Sequence, residues 1–403
     1  MGLTNSIFGM YGGIIVIALP QLLSIRHVPE TTIAAMTAVM VSPGIWAFVV
    51  SPVLDVRFSR RWWSAATTIM AAVLLVLALL DLDHLLLVET VMVAGYFMAS
   101  LAQSALGGWL SSIVSAEQEN KLSSWVTFGN LGAGGAIAIA AGELIRNISP
   151  PVAAFVLGGL IVLPTAVFPF MPAPPPDRQL ASESFRQFFG EVWRLVKKRD
   201  VLIAIVLFMA PAGTFSLTNF LGGIGDDFHA SPHFVSVVGG GGVVLGGSVG
   251  CLMFLLIDRL LPLRFLYVTV ALLGSLFSLL LIVLPRSPAV FGVAFIGENV
   301  FQALSITITI AIAFETIGRR NPLAATTFCL LNSAFSIPIT YMLVVDGWGY
   351  GQQGVAGGFG IDGVLGIVTS VVLGALLLWI TPSRRSFRLA RWIRGSGALR
   401  RSD

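Results

Sequence analysis

Uncharged apolar stretches of about 20 residues recur along the whole sequence, and each, wound as a helix, is long enough to cross the ~30 Å hydrocarbon layer of a bilayer. They run over 4–24, 31–54, 62–80, 84–112, 122–144 and 150–171, and after a break over 200–224, 232–257, 264–284, 288–316, 322–345 and 361–381, twelve in all. Helices are the only reading for these lengths, because backbone groups in lipid must bond within their own segment, and a barrel would show strands of about ten alternating residues. With 56% hydrophobic and 11% charged residues and a mean hydropathy of +0.89, the chain is too apolar for one water-soluble core, which excludes an ordinary soluble enzyme. The first stretch lacks the basic start and small-residue cleavage site of a signal peptide and is read as a span. The expected fold class is an all-α membrane protein.

Lysine and arginine set the orientation. Loops on the side of the termini hold twenty-one of the 24 cationic residues, and the other side holds only Arg26, Arg146 and Arg286. The positive-inside rule then makes both termini cytoplasmic, in a multi-pass protein of a cell inner membrane. The net charge of +4 follows from this topology, and no nucleic-acid partner is expected. The expected organisation is a first bundle at 1–171, a linker at 172–199, a second bundle at 200–382 and a basic tail at 383–403. The linker opens on Pro172, Pro174, Pro175 and Pro176, then places Phe185, Phe188, Phe189, Val192, Trp193 and Val196 at helical spacing among Arg186, Arg194 and Lys197. This reads either as an amphipathic helix on the anionic inner leaflet or as a helix packed under the bundle. The tail, with Phe387, Trp392 and Ile393 among arginines, has the same two readings.

The two sets of six are related. Leu54-Asp55-Val56-Arg57 with Arg60-Arg61 follows the second span, and Ile257-Asp258-Arg259 with Arg264 follows the eighth, about 203 residues later. Gln103 and Gln302, and Asn120-Lys121-Leu122 and Asn321-Pro322-Leu323, repeat at nearly the same offset. A duplicated six-helix unit of this kind places a solute site near the midplane between halves and works by rocking one half against the other. The short Asp-Arg loops suggest an inner gate in which Asp55 pairs with Arg57 and Arg61, and Asp258 with Arg259. The alternative is that these arginines only mark topology.

Most acidic residues fall in loops or near span ends, and Glu298 is the expected exception. It lies about 15 Å into the tenth span, where a carboxyl is expensive unless it meets water or is held neutral. A proton-coupling group needs those properties; a permanently neutral Glu gluing the bundle is the other reading. Asn299 adjoins it and Gln302 shares its face. Tyr11 and Gln21 on the first span, Gln103 and Trp109 on the fourth, Asn130 on the fifth, Thr218 and Asn219 on the seventh and Asn332 on the eleventh complete a candidate polar lining for a small-molecule substrate. For each alone, a helix-to-helix hydrogen bond is the simpler reading, and only as a set do they outline a polar interior. The Gly-rich stretch from Asp346 to Gly360 reads as an outer loop or lid. Four histidines near the outer surface and two cysteines inside apolar runs, Cys251 and Cys329, point to no metal, no cofactor and no redox chemistry. A monomer is expected.

Twelve spans in two related sixes, with Asp-x-Arg-x-x-Arg-Arg after the second, resemble the major facilitator superfamily. Ser51-Pro52-Val53-Leu54-Asp55, Phe185-Arg186-Gln187-Phe188-Phe189 and Ala325-Thr326-Thr327-Phe328-Cys329-Leu330-Leu331-Asn332 are similar to the AmpG-type muropeptide permeases and acetyl-coenzyme A transporters. That resemblance implies two pseudo-symmetric six-helix bundles and proton-driven movement of a bulky, often anionic solute, with siderophore import or efflux of amphipathic compounds as the rival. The subgroup carries Gln-Asp and a further Asp on its fourth span, whereas Gln103-Ser104-Ala105-Leu106-Gly107-Gly108-Trp109 has neither acid. The coupling duty has then moved to Glu298, or transport is not proton-driven, or the subgroup differs.

Overall fold

The computed structural model describes residues 2–56, 58–173, 190, 193–319 and 321–380. Among the described residues, ten helices are long and apolar enough to cross a membrane. They are α1 (Gly2–Ser24), α3 (Arg60–Leu80), α4 (Leu85–Ile113), α5 (Glu119–Asn147), α6 (Pro150–Val162, extended by the 3-10 turns of Leu163–Phe170), α8 (Pro232–Ile257), α9 (Leu263–Val283), α10 (Pro288–Ile317), α11 (Ala324–Gln353) and α12 (Val355–Ile380).

The remaining two expected spans are broken helices. The second starts as α2 (Glu30–Val41) and continues through short turns at Pro43–Trp46, Ala47–Val49 and Ser51–Asp55, because Pro43 and Pro52 each interrupt the ladder. The seventh starts as α7 (Arg199–Met209), unwinds from Ala210 through Ser216 past Pro211, and resumes at Leu217–Phe220. In the unwound stretch Gly213 and Phe215 take positive φ of 76° and 49°. Its carbonyls are satisfied from neighbouring helices, Ala212 O by Tyr267 OH at 2.9 Å and Gly213 O by Ser305 Oγ at 2.6 Å. Irregular backbone survives at membrane depth only with such partners.

The expected loop over Asp346 to Gly360 is absent. α11 runs on to Gln353, a single turn at Gly354 reverses the chain, and α12 starts at Val355, so both helices are extended at that face. Glycine and aspartate composition suggested a loop, but lipid penalises unpaired backbone more than helix penalises glycine.

Within the first half α1 packs along α5 through small residues: a Cβ on Gly9 would meet Asn130 O at 1.9 Å, and one on Gly13 would meet Gly134 O at 2.2 Å. α3 packs on α4 and α6; in the second half α8 packs on α10, and α9 on α10 and α12. α3 and α12 present Ile69, Val73, Leu77, Val368, Val372 and Trp379 outward, an apolar surface suited to lipid. The halves meet through α5 on α8 and α10, and through α4 and the end of the second segment on α11.

Candidate functional site

One candidate element is a lock between the halves at the face rich in Lys and Arg, called here the basic face. Asp55 is buried, and its carboxylate accepts from Ala325 N at 3.2 Å, Thr326 N at 2.9 Å and Thr326 Oγ1 at 2.7 Å, all on the first turn of α11. It therefore caps a helix of the other half and sits at that helix's positive end. Arg60 Nε donates to Asp55 Oδ1 at 2.8 Å, and its Nη2 reaches across to Pro322 O at 2.8 Å and Asn321 O at 3.4 Å. Arg60 is 3% exposed. The cationic partner is thus Arg60 and not Arg61, which is half-buried with no bond to Asp55; Arg57 lies outside the described residues. As the first residue of α3, Arg60 points along that helix's inward face.

The related position in the second half reaches the opposite way. Asp258 accepts from Asn120 Nδ2, beside the start of α5, at 3.0 Å, while Arg259 is exposed. Arg264 pairs with Asp200 at 3.2 Å and not with Asp258. Arg319 Nε donates to Val114 O at 2.7 Å, and Ser124 Oγ to Cys251 O at 3.2 Å, adding two more bonds between halves. Close approach completes the closure: Cβ on Gly108 of α4 would stand 2.5 Å from Ala325 N, and on Gly107 2.6 Å from the Phe328 ring.

The other element is a set of buried carboxyls toward the opposite face. Glu298 is fully buried, and its Oε1 lies 2.8 Å from Ser278 Oγ, which is also 3.2 Å from Asp362 Oδ2. Asp346, also fully buried, accepts from Ser216 Oγ at 2.5 Å. Glu298 is therefore not the single intramembrane acid: Asp346, in the stretch expected to be a loop, and Asp362, expected at the very start of the last span, stand about 10 Å inside the ends of α11 and α12. The three are within electrostatic reach of one another, and among the described residues none is paired with Lys, Arg or His. Ser278 has one hydroxyl hydrogen, so it can donate to only one of its two carboxyl neighbours. The other oxygen contact is a hydrogen bond only when that carboxyl carries a proton and donates to Ser278. Glu298 Oε2 and Asp346 Oδ1 have no hydrogen-bond partner among the described residues.

The polar residues expected to line a cavity divide into three groups. Gln302 Nε2 donates to Thr218 Oγ1 at 2.7 Å, tying α10 to the resumed turn of the seventh segment, with Asn219 exposed beside it. Gln103 Oε1 and Asn130 Oδ1 are buried without partners among the described residues. Asn332 is half-buried and Gln21 exposed. The third group is engaged internally. Tyr11 is fully buried with its hydroxyl 3.7 Å from Met92 Sδ, Asn299 Nδ2 donates to Phe295 O at 2.8 Å, and Trp109 Nε1 donates to Pro172 O at 3.0 Å. Trp109 thus fastens α4 to the end of the sixth segment, with its ring edge-on to Phe168. No group of three or more His, Cys, Asp or Glu able to hold a metal occurs among the described residues.

The fold and this geometry can be set beside known proteins. Residues 1–337 match the Major Facilitator Superfamily. The chain belongs to this superfamily. Three similar solved structures are the transporter FucP in the outward conformation, the proton:xylose symporter XylE bound to a bromodeoxyglucose, and the human organic anion transporter MFSD10. FucP is 12% identical with TM-score 0.64, covering 92% of this chain and 97% of its own. XylE is 13% identical with TM-score 0.67, covering 94% of each chain. MFSD10 is 14% identical with TM-score 0.68, covering 92% of this chain and 97% of its own. At these identities the likeness is one of fold. No curated protein matches the sequence. Membership of the superfamily supports a membrane transporter built from two six-helix bundles, and the family is generally non-enzymatic.

Proposed function

We propose that the protein is a secondary active transporter that works by alternating access and couples solute movement to protons through Glu298. The observation that carries the coupling is Ser278 Oγ between Glu298 and Asp362, two buried carboxyls with no paired cation among the described residues: charge there is costly while the site is closed, and a proton held there can be given up when water or a solute reaches it. The Asp55–Arg60 lock on α11 supports the gating half of the reading, with Asp258 on Asn120 as its weaker counterpart. When the lock opens, both charges gain water, so opening is not prohibitively costly.

The solute reading is import of a bulky metabolite such as a muropeptide, into a cell whose inner membrane holds the protein as a monomer with both termini cytoplasmic. The resemblance at Ser51–Asp55 and Ala325–Asn332 supports that class, and the unpaired Gln103 and Asn130 are neutral groups able to read such a solute without matching its charge. Uptake into proteoliposomes under an imposed pH gradient tests it. Muropeptides should accumulate with the wild type, and Glu298→Gln should bind solute but lose gradient-driven accumulation. Unchanged accumulation by the variant would remove Glu298 from coupling, and accumulation of siderophores in place of muropeptides would replace the solute class.

A further inference from the structure

Residues 210–218, the break in the seventh segment, are held among the described residues by four side chains of other helices. Tyr267 of α9 and Ser305 of α10 donate to Ala212 O and Gly213 O, Gln302 of α10 donates to Thr218 Oγ1, and Asp346 of α11 accepts from Ser216 Oγ. Of the four, Asp346 alone is a carboxyl, so it alone can exchange a charged acceptor for a neutral one. Ser216 follows Phe215, a bulky residue at a φ of 49°, a conformation that persists only where its surroundings enforce it. The Phe215 ring fills the space over Gly274 of α9, where a Cβ would stand 2.2 Å from its Cε1, and it stacks on Phe301. Asp346 thus holds the hydroxyl next to the most strained point of the break.

Asp346 is fully buried, and its Oδ1 has no hydrogen-bond partner among the described residues. A buried carboxylate oxygen with neither water nor a donor is costly, and a proton is the ligand that removes the cost. The charged groups within its electrostatic reach are both acids, Asp362 on α12 and Glu298 on α10. Gly358, one turn before Asp362, would place a Cβ 3.5 Å from Asp346 O and 3.5 Å from the Phe220 ring, so this face of α12 meets both α11 and the resumed turn. On the seventh segment Arg199 and Asp200 lie at the other end of α7, and on α11 itself Tyr350 donates to Asp227. The first-half elements packed on α11 carry Glu89 on α4 and Asp55 at the first turn of α11.

We infer that Asp346 is a positioning residue of the transport cycle: proton binding to its carboxyl weakens the hold on Ser216 and lets the seventh segment rearrange at its break. Ionised, it accepts from Ser216 in a charge-assisted bond; protonated, it accepts as a neutral carboxyl, and the strain at Phe215 is less firmly opposed. Its place in a cycle rests on the proton-coupling reading above, whereas the link from Asp346 to the break does not depend on Glu298.

The test is hydrogen exchange of the full chain in nanodiscs, read by mass spectrometry over residues 210–218 from about pH 5 to about pH 9 and corrected for the intrinsic rate at each pH. In the wild type, protection should rise about tenfold as pH rises and the acceptor of Ser216 gains its charge. Asp346→Asn keeps an acceptor without the charge and should hold protection at the low value throughout, while Asp346→Glu should restore the step. Ser216→Ala should also abolish it, which tests the link from the other side. Glu298→Gln should keep the step, so failure of Glu298 in coupling and failure of Asp346 at the break are read apart. Folding of each variant is checked in a Cys251→Ser background by slow N-ethylmaleimide alkylation of Cys329, which is 3% exposed on α11 and is then the single cysteine. No step in the wild type, or a step that survives Asp346→Asn with or without a uniform loss of protection, would overturn the inference.

Discussion

Replacing Asp55 by Ala is the sharpest perturbation of the lock. It removes the acceptor of four hydrogen bonds, among them the carboxylate 2.8 Å from Nε of the Arg60 guanidinium, which is 3% exposed. Breaking a buried ion pair from one side costs about 3–5 kcal/mol. Arg60 keeps its two carbonyl acceptors on Asn321 and Pro322, so the lower end, about 3 kcal/mol, is the appropriate figure. In the open state the same groups are hydrated, so nearly all of this falls on the closed state. At about 1.4 kcal/mol per tenfold, the open fraction rises about 100-fold. The assay is N-ethylmaleimide labelling of Cys329 in the Cys251→Ser background, with Asp55→Ala expected to label about 100-fold faster until the open state dominates. Arg61→Gln, which touches a half-buried arginine outside the lock, should leave the rate where it is. Unchanged labelling of Asp55→Ala, or equal effects of both variants, would refute the reasoning.

Other consequences can be checked independently. Gly108→Val should favour the open basic face and speed Cys329 labelling, because even a Cβ would stand 2.5 Å from backbone Ala325 N and 2.7 Å from its Cα. Ser278→Ala should leave Glu298 and Asp362 without their shared hydroxyl and lower the cooperativity of pH-driven uptake in proteoliposomes, whereas Ser278→Thr should retain it. Trp109→Phe should cost about 1–3 kcal/mol in denaturant unfolding by leaving Pro172 O unpaired, with little effect on solute affinity. In the loop before α4, the hydrogen bond that the protonated His84 ring donates to Asp81 raises the His84 titration above its ordinary 6.5. That pairing is present in full below the ordinary value and is lost as pH rises through the raised one, so Asp81→Asn should move the His84 ring titration downward in NMR.

Much of this architecture is readable from hydropathy because a bilayer leaves the backbone few options. The spans from Arg60 to Leu80 and from Pro288 to Ile317 and the burial of Glu298 follow from apolar length and the position of charge, whereas the reach of Asp55 to the other half comes only from the packing. Window hydropathy is blind to backbone interruption, so the second and seventh segments read as continuous although Pro43, Pro52 and Pro211 mark their breaks. The choice of Arg60 over Arg57 and Arg61 depends on where α3 starts, since one residue turns a side chain by about 100° around a helix. Asp346 is hidden by a glycine-rich context that resembles a loop in water and forms helix here, and Asp362 by its place at the expected end of a span. The signal that could have found them is the pairing of each acid with a serine on another segment, Ser216 and Ser278, which only the packing brings together.

Reciprocal motion of the two faces is the central claim, and paired spin-label distances measure it most directly. One pair replaces the exposed Trp62 and Leu260 on the basic face, and the other replaces Leu86 and Val283 at the opposite ends of their bundles. On introducing Asp55→Ala, the first distance should lengthen while the second shortens. Two distances that stay fixed, or lengthen together, would contradict alternating access by these halves.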